Sequence, residues 1–171
     1  PKGSGLGTSS ILAATVLGTL SELLGLGWDS ADIAHRTLLL EQLMTTGGGW
    51  QDQYGGILRG IKLLETSAGQ AQRPGVKWLP EHLLTDPGGK ACFLLYYTGI
   101  TRVARSILAD IVRGMFLNER ARYAVLDDIR DHALEAYAAF QSGKWEALGR
   151  VTRRSWALNC ALDAGTCPPE V

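Results

Sequence analysis

The chain opens on PKGSGLGTSS, residues 1–10, and this stretch limits what can follow more than any other. Gly3, Gly5 and Gly7 alternate, then Thr8, Ser9 and Ser10 lead into the apolar run of residues 11–24. Glycine reaches backbone conformations closed to other residues and lets a ligand approach the main chain with no Cβ in the way. Hydroxyl side chains accept from the free N–H groups of a first helical turn. A glycine loop feeding a helix start therefore makes an anion site, with donors and the positive end of the helix dipole facing outward. The ligand this chemistry implies is a nucleotide polyphosphate. The plain alternative is a glycine-rich turn ahead of a capped helix.

Three familiar phosphate loops are excluded. No lysine follows the last glycine, so the pattern G-x-x-x-x-G-K-[ST] fails. Reading G-x-G-x-x-G from Gly3 puts Thr8 where the dinucleotide fingerprint needs a small residue. The protein-kinase loop lies between strands, whereas this one precedes a long apolar segment.

With 171 residues, 46% apolar and 20% charged, the chain has material for one large domain or two small ones. Lys+Arg and Asp+Glu are equal at 17 each, so nothing in the charge advertises nucleic acid or an acidic membrane surface. Cys92, Cys160 and Cys167 form no C-x-x-C pair, which points to reduced thiols in a cytoplasmic setting and away from zinc. Gly18, Ser21 and Glu22 interrupt the first apolar run, which is too short for a membrane span. The sequence begins without Met, inside a motif that a strand should precede, and ends on Pro168-Pro169-Glu170-Val171. The expectation is a piece of a longer protein.

Residues 9–24 read as a buried helix, apolar or small almost all round. Gly25 to Gly27 end it, and Asp29 or Ser30 caps a second helix over residues 31–45. Glu41 stands in the apolar last turns of that helix, LLLEQLM, where the dipole disfavours a carboxylate. Something should compensate it, unless it is simply solvated. Next come Thr45-Thr46-Gly47-Gly48-Gly49-Trp50-Gln51-Asp52-Gln53-Tyr54-Gly55-Gly56. Dense directional polar groups beside an aromatic suit a polyhydroxylated ligand such as a sugar, although a polar loop with a packed Trp50 is the simpler alternative.

Residues 57–64 and 76–79 read as strands, with a tight turn or bulge at Arg59-Gly60. TDPGGK, residues 85–90, is a break and the expected domain boundary. Residues 91–97 read as a buried strand ending at Thr98-Gly99, and Thr101 can cap a helix over 102–116. Two further helices, 120–141 and 144–162, are split by Ser142-Gly143. Arg102 and Arg105 oppose the dipole of their helix, which a nearby anion would explain for Arg102.

PKGSGLGTSS resembles the second motif of the GHMP small-molecule kinases, P-x-x-x-G-L-G-S-S. Its pairing with LLLEQLMTTGGGWQDQYGG is similar to the L-fucokinase branch, and LLYYTGITRVARSIL and LDAGTCPPEV extend the likeness along the chain. The resemblance implies an α+β, two-layer GHMP-kinase-like fold truncated at both ends. Residues 1–85 would be the C-terminal part of the ATP-binding N-terminal domain, and 86–171 the first part of the C-terminal domain. It implies ATP and Mg²⁺ with a small sugar as substrate.

Carried over by position, Gly3, Ser4, Gly5, Leu6, Gly7, Thr8 and Ser9 would wrap the ATP phosphates. Ser9 and Glu41 would ligate Mg²⁺, which also answers the puzzle of Glu41. Asp52, eleven residues after Glu41, would be the catalytic residue at the accepting hydroxyl. Sugar contacts would come from Gly49, Trp50, Gln51, Gln53 and Tyr54, with Thr98, Thr101 and Arg102. The family's earlier sugar-binding strand motif and later glycine-rich motif are not in this sequence. The implied reaction is phosphorylation of the anomeric hydroxyl of L-fucose. A heptose-phosphate kinase, sharing Q-D-Q-Y, and a non-catalytic nucleotide- or sugar-binding piece are the rivals.

Overall fold

A computed structural model of the chain describes residues 6–44, 48–69, 73–91, 93–97, 104–117 and 119–167. Contacts group them into two units, Pro1–Lys77 with Gly99–Arg105, and Trp78–Thr98 with Ser106–Val171. Among the described residues the secondary structure is mainly helical with one two-stranded sheet, compatible with an α+β class.

The first unit is built on small residues. Helix α1, Thr8–Leu24, buries Ser10, Ala14 and Ser21, and Gly18 lies between them on the same face. Helix α2, Ser30–Leu43, buries Ala34, Thr37 and Glu41. A Cβ at Gly18 would stand 3.6 Å from Ile33 Cδ1, so the two small faces pack closely. Gly25, at φ 63°, ends α1 in the left-handed conformation. Asp29 caps α2: its Oδ1 accepts from Asp32 N at 2.8 Å, and Asp32 Oδ2 accepts from Asp29 N at 3.3 Å.

The expectation of a helix buried all round is corrected here. Leu12 is 68% exposed, Leu23 76% and Val16 51%. Large side chains fill the outer face because the neighbouring helices need the small ones to approach.

A third helix, α3, spans Gln51–Ile57 and buries Gln53 and Tyr54. It packs on α1 at Gly56, where a Cβ would come within 2.7 Å of Ile11 Cδ1. Strands β1, Lys62–Glu65, and β2, Gly75–Trp78, pair after it, tied by Lys77 and Glu65 at 2.6 Å. The expected strand over 57–64 thus gives its start to α3, a turn at Gly60 (φ 82°), and only its end to β1.

In the second unit α4, His82–Thr85, and α5, Pro87–Ala91, replace the open break expected over TDPGGK. Proline suits a first helical position because its missing N–H is not needed there. Helix α6 spans Ala104–Phe116. Helices α7, Arg120–Ser142, and α8, Trp145–Leu162, match expectation, with Gly143 at φ 63° between them. His132 is buried on α7, and its Nε2 lies 2.8 Å from the Val151 carbonyl on α8.

Two expectations fail here. Residues 93–97 form no strand: Phe93 stacks with Phe140, while Leu94 is 92% exposed and Leu95 87%. A strand needs an edge to pair with, and the described residues of this unit hold only Trp78, the last residue of β2. Cys160 and Cys167 are bonded rather than reduced thiols, because the single 3₁₀ turn Ala164–Thr166 folds the chain back on the end of α8. Cys92 lies outside the described residues.

Candidate active site

Gly7 takes the N-cap position of α1 at φ 64°, without a side-chain cap. Two of the hydroxyls that follow it, Ser9 and Ser10, turn to Glu41 instead. Ser10, 1% exposed, donates to Glu41 Oε1 at 2.9 Å and Oε2 at 3.1 Å. Ser9 donates to Glu41 Oε1 at 3.4 Å. Gln53 Nε2 donates to Glu41 Oε2. The carboxylate that the sequence leaves without compensation is thus met by donors from α1 and α3.

Asp52 precedes Gln53 on the first turn of α3 and is exposed. A Cβ placed on Gly7 would be 3.3 Å from Asp52 Cγ and 3.6 Å from Oδ1. The carboxyl group therefore stands against the end of the glycine loop, one α3 residue away from the Glu41 cluster.

Lys62 closes the other end of α3. Its ammonium donates to the carbonyls of Leu58 at 2.6 Å, and of Gly55 and Gly60 at 3.0 Å each. Burial lowers its pKa from the ordinary lysine value. Burial raises that of the Tyr54 phenol, against the opposing charge of Arg73.

Of the residues expected at the site, Ser9 and Glu41 are brought together, and Asp52 is brought to Gly7. Leu6 is 64% exposed and Thr8 begins α1. Gly49 and Gln51 are exposed, Trp50 is half-buried, and Gln53 and Tyr54 face inward. Gly3, Ser4, Gly5, Thr98, Thr101 and Arg102 lie outside the described residues. Sequence reasoning set Ser10 only among the hydroxyls of the helix start and gave Lys62 no place in the site. Ser10 was findable, since helical spacing sets it on one small face with Ala14, Gly18 and Ser21.

The donor set can be tested against Mg²⁺. That ion takes one or two protein oxygens and completes its shell with phosphate and water. A carboxylate and a hydroxyl 3.4 Å apart, Glu41 and Ser9, meet that requirement. Among the described residues no group of three or more His, Cys, Asp or Glu is placed to hold a metal ion.

Residues 1–60 match the family model described as GHMP kinases N terminal domain. The resemblance to the GHMP kinases is borne out. Over all 171 residues the chain is 58% identical to an L-fucokinase/L-fucose-1-P guanylyltransferase of Bacteroides fragilis, covering 18% of that protein. It is 33% identical over 165 residues to a bifunctional fucokinase/GDP-fucose pyrophosphorylase of Arabidopsis thaliana, covering 16% of it. It is 28% identical over 161 residues to a D-glycero-alpha-D-manno-heptose 7-phosphate kinase of Campylobacter jejuni, covering 45%. The chain thus spans less than a fifth of the two fucokinase relatives. Among the described residues no helix is long and apolar enough to cross a membrane.

Proposed function

We propose that this chain is part of an ATP-dependent sugar kinase that phosphorylates the anomeric hydroxyl of L-fucose. The observation that carries the reading is the Asp52 carboxyl held against Gly7, at the end of a glycine loop that opens a helix. Likeness to a fucokinase at 58% identity along every residue supports the choice of sugar. With this reading go the GHMP two-layer fold and the division near residue 85 into parts of an N-terminal and a C-terminal domain.

In phosphoryl transfer the protein mainly positions groups and stabilises charge. Asp52 accepts the proton of the sugar hydroxyl as its oxygen attacks the γ-phosphorus; the bond to the β-phosphate oxygen breaks and ADP leaves. The glycine loop presents backbone N–H groups to the phosphates. Ser9 and Glu41 would hold Mg²⁺, which when bound offsets triphosphate charge. Trp50 and Gln51, at the start of α3, offer a ring face and an amide to the sugar. Gln53 and Tyr54 support them from within.

ADP release by the full-length protein, measured with ATP and Mg²⁺ against L-fucose, other hexoses and a heptose 7-phosphate, tests this reading. Turnover with L-fucose and a ³¹P signal for an anomeric phosphate are expected. Preference for the heptose phosphate would move the protein to the other kinase branch. Nucleotide binding without turnover on any sugar would make it a binding module.

A further inference from the structure

Gln53 is 2% exposed, yet its amide is only half used. A carboxylate can only accept hydrogen bonds, so the amide NH₂ must face Glu41. That turns Gln53 Oε1 away, and this buried oxygen has no hydrogen-bond partner among the described residues. Gln53 holds Glu41 Oε2, Ser10 spans both carboxylate oxygens, and Ser9 reaches Oε1. The same turn of α3 carries Asp52 outward to Gly7.

We propose that Gln53 is a positioning residue: it locks the Glu41 carboxylate toward Ser9 and ties that group to the helix turn bearing Asp52. The inference rests on the reading of Glu41 and Ser9 as the metal-holding pair. Glu41 has several torsions, and without the amide its carboxylate can swing away from Ser9. Partners behind a metal-holding group typically change metal affinity by about 10–100-fold. In this role Gln53 acts through Glu41 rather than on sugar or nucleotide directly.

The test uses the full-length protein with ADP and Mn²⁺ as probe, reading free Mn²⁺ by electron paramagnetic resonance. Gln53→Leu removes the donor at similar volume. It should weaken Mn²⁺ binding to the ADP complex about tenfold or more and leave the melting temperature nearly unchanged. It should also raise the Mg²⁺ requirement of turnover while kcat at saturating Mg²⁺ stays well above that of Asp52→Asn. If leucine disturbs folding, the unbranched Gln53→Met carries the same comparison, and Ser10→Ala removes the second donor. Unchanged Mn²⁺ affinity in Gln53→Leu, with Glu41→Gln clearly weakened, overturns the proposal and leaves the metal reading intact. Unchanged affinity in Glu41→Gln removes the metal reading and the proposal with it.

Discussion

The Asp52 carboxyl carbon lies 3.3 Å from the point where a side chain on Gly7 would begin. Gly7 also has φ 64°, so two separate features favour glycine there. One comes from the backbone, the other from the carboxyl group opposite.

These features can be separated by experiment. Gly25 has φ 63° and no neighbour within 4 Å of its would-be Cβ. Alanine at either position should cost about 1–2 kcal/mol of left-handed strain. Only Gly7→Ala should also push Asp52 aside and lower kcat. Melting curves and steady-state kinetics on both variants of the full-length protein check this. Equal activity in the two would show that Asp52 does not depend on Gly7.

Lys62→Met should loosen the end of α3. The ammonium serves three carbonyls, those of Gly55, Leu58 and Gly60, and methionine offers none of those donors. Hydrogen bonds to charged groups are worth roughly 1.5–3 kcal/mol, and the freed carbonyls can partly turn to water. A loss of about 1–3 kcal/mol in denaturant titration is expected, with kcat/KM falling as Asp52 loses its fixed support.

Local features were legible in the sequence wherever a single residue type dictated geometry. Asp29 as a cap, Gly25 and Gly143 as helix ends, and the start of the helix after the glycine loop follow from short-range rules. Pairing across distance was not legible in the residues alone: the resemblance brought Ser9 to Glu41, but not the other partners of that carboxylate. Glu41 visibly lacked compensation, but Ser10 lies 31 residues before it and Gln53 twelve after. Nothing in the composition announces those partners. Residues 91–97 misled for a different reason: an apolar run is read as a strand from its length, while strand formation depends on an available edge. The large residues on the outside of α1 show the same gap between hydrophobicity and burial.

Tyr54 gives the site an alkaline limit. Its folded pKa is raised by burial above the ordinary value of 10.0, so the folded state keeps a proton that the unfolded chain releases. The stabilising contribution is complete below about pH 10 and is lost as pH rises through the higher folded value. Wild-type stability should therefore fall in that window relative to Tyr54→Phe, which cannot ionise. Denaturant midpoints of both proteins between about pH 9 and 11 give the comparison. Parallel profiles would show that the phenol titrates as it does in the unfolded chain.

Asp52→Asn separates chemistry from nucleotide binding. Asparagine keeps the size and one acceptor oxygen, so the contact with Gly7 is preserved. It cannot take the proton from a sugar hydroxyl. General-base assistance is typically worth about 10²–10⁴-fold in rate, or roughly 3–5 kcal/mol, so kcat should fall by that factor with the ATP dissociation constant nearly intact. Glu41→Gln should behave differently. It alters the group that Ser9, Ser10 and Gln53 surround, and should raise the Mg²⁺ concentration needed for half-maximal rate. Kinetics at several Mg²⁺ concentrations distinguish the two effects. If Asp52→Asn keeps more than about a tenth of wild-type kcat, short of the loss expected for a missing base, the proton goes elsewhere and Asp52 serves only to orient the sugar.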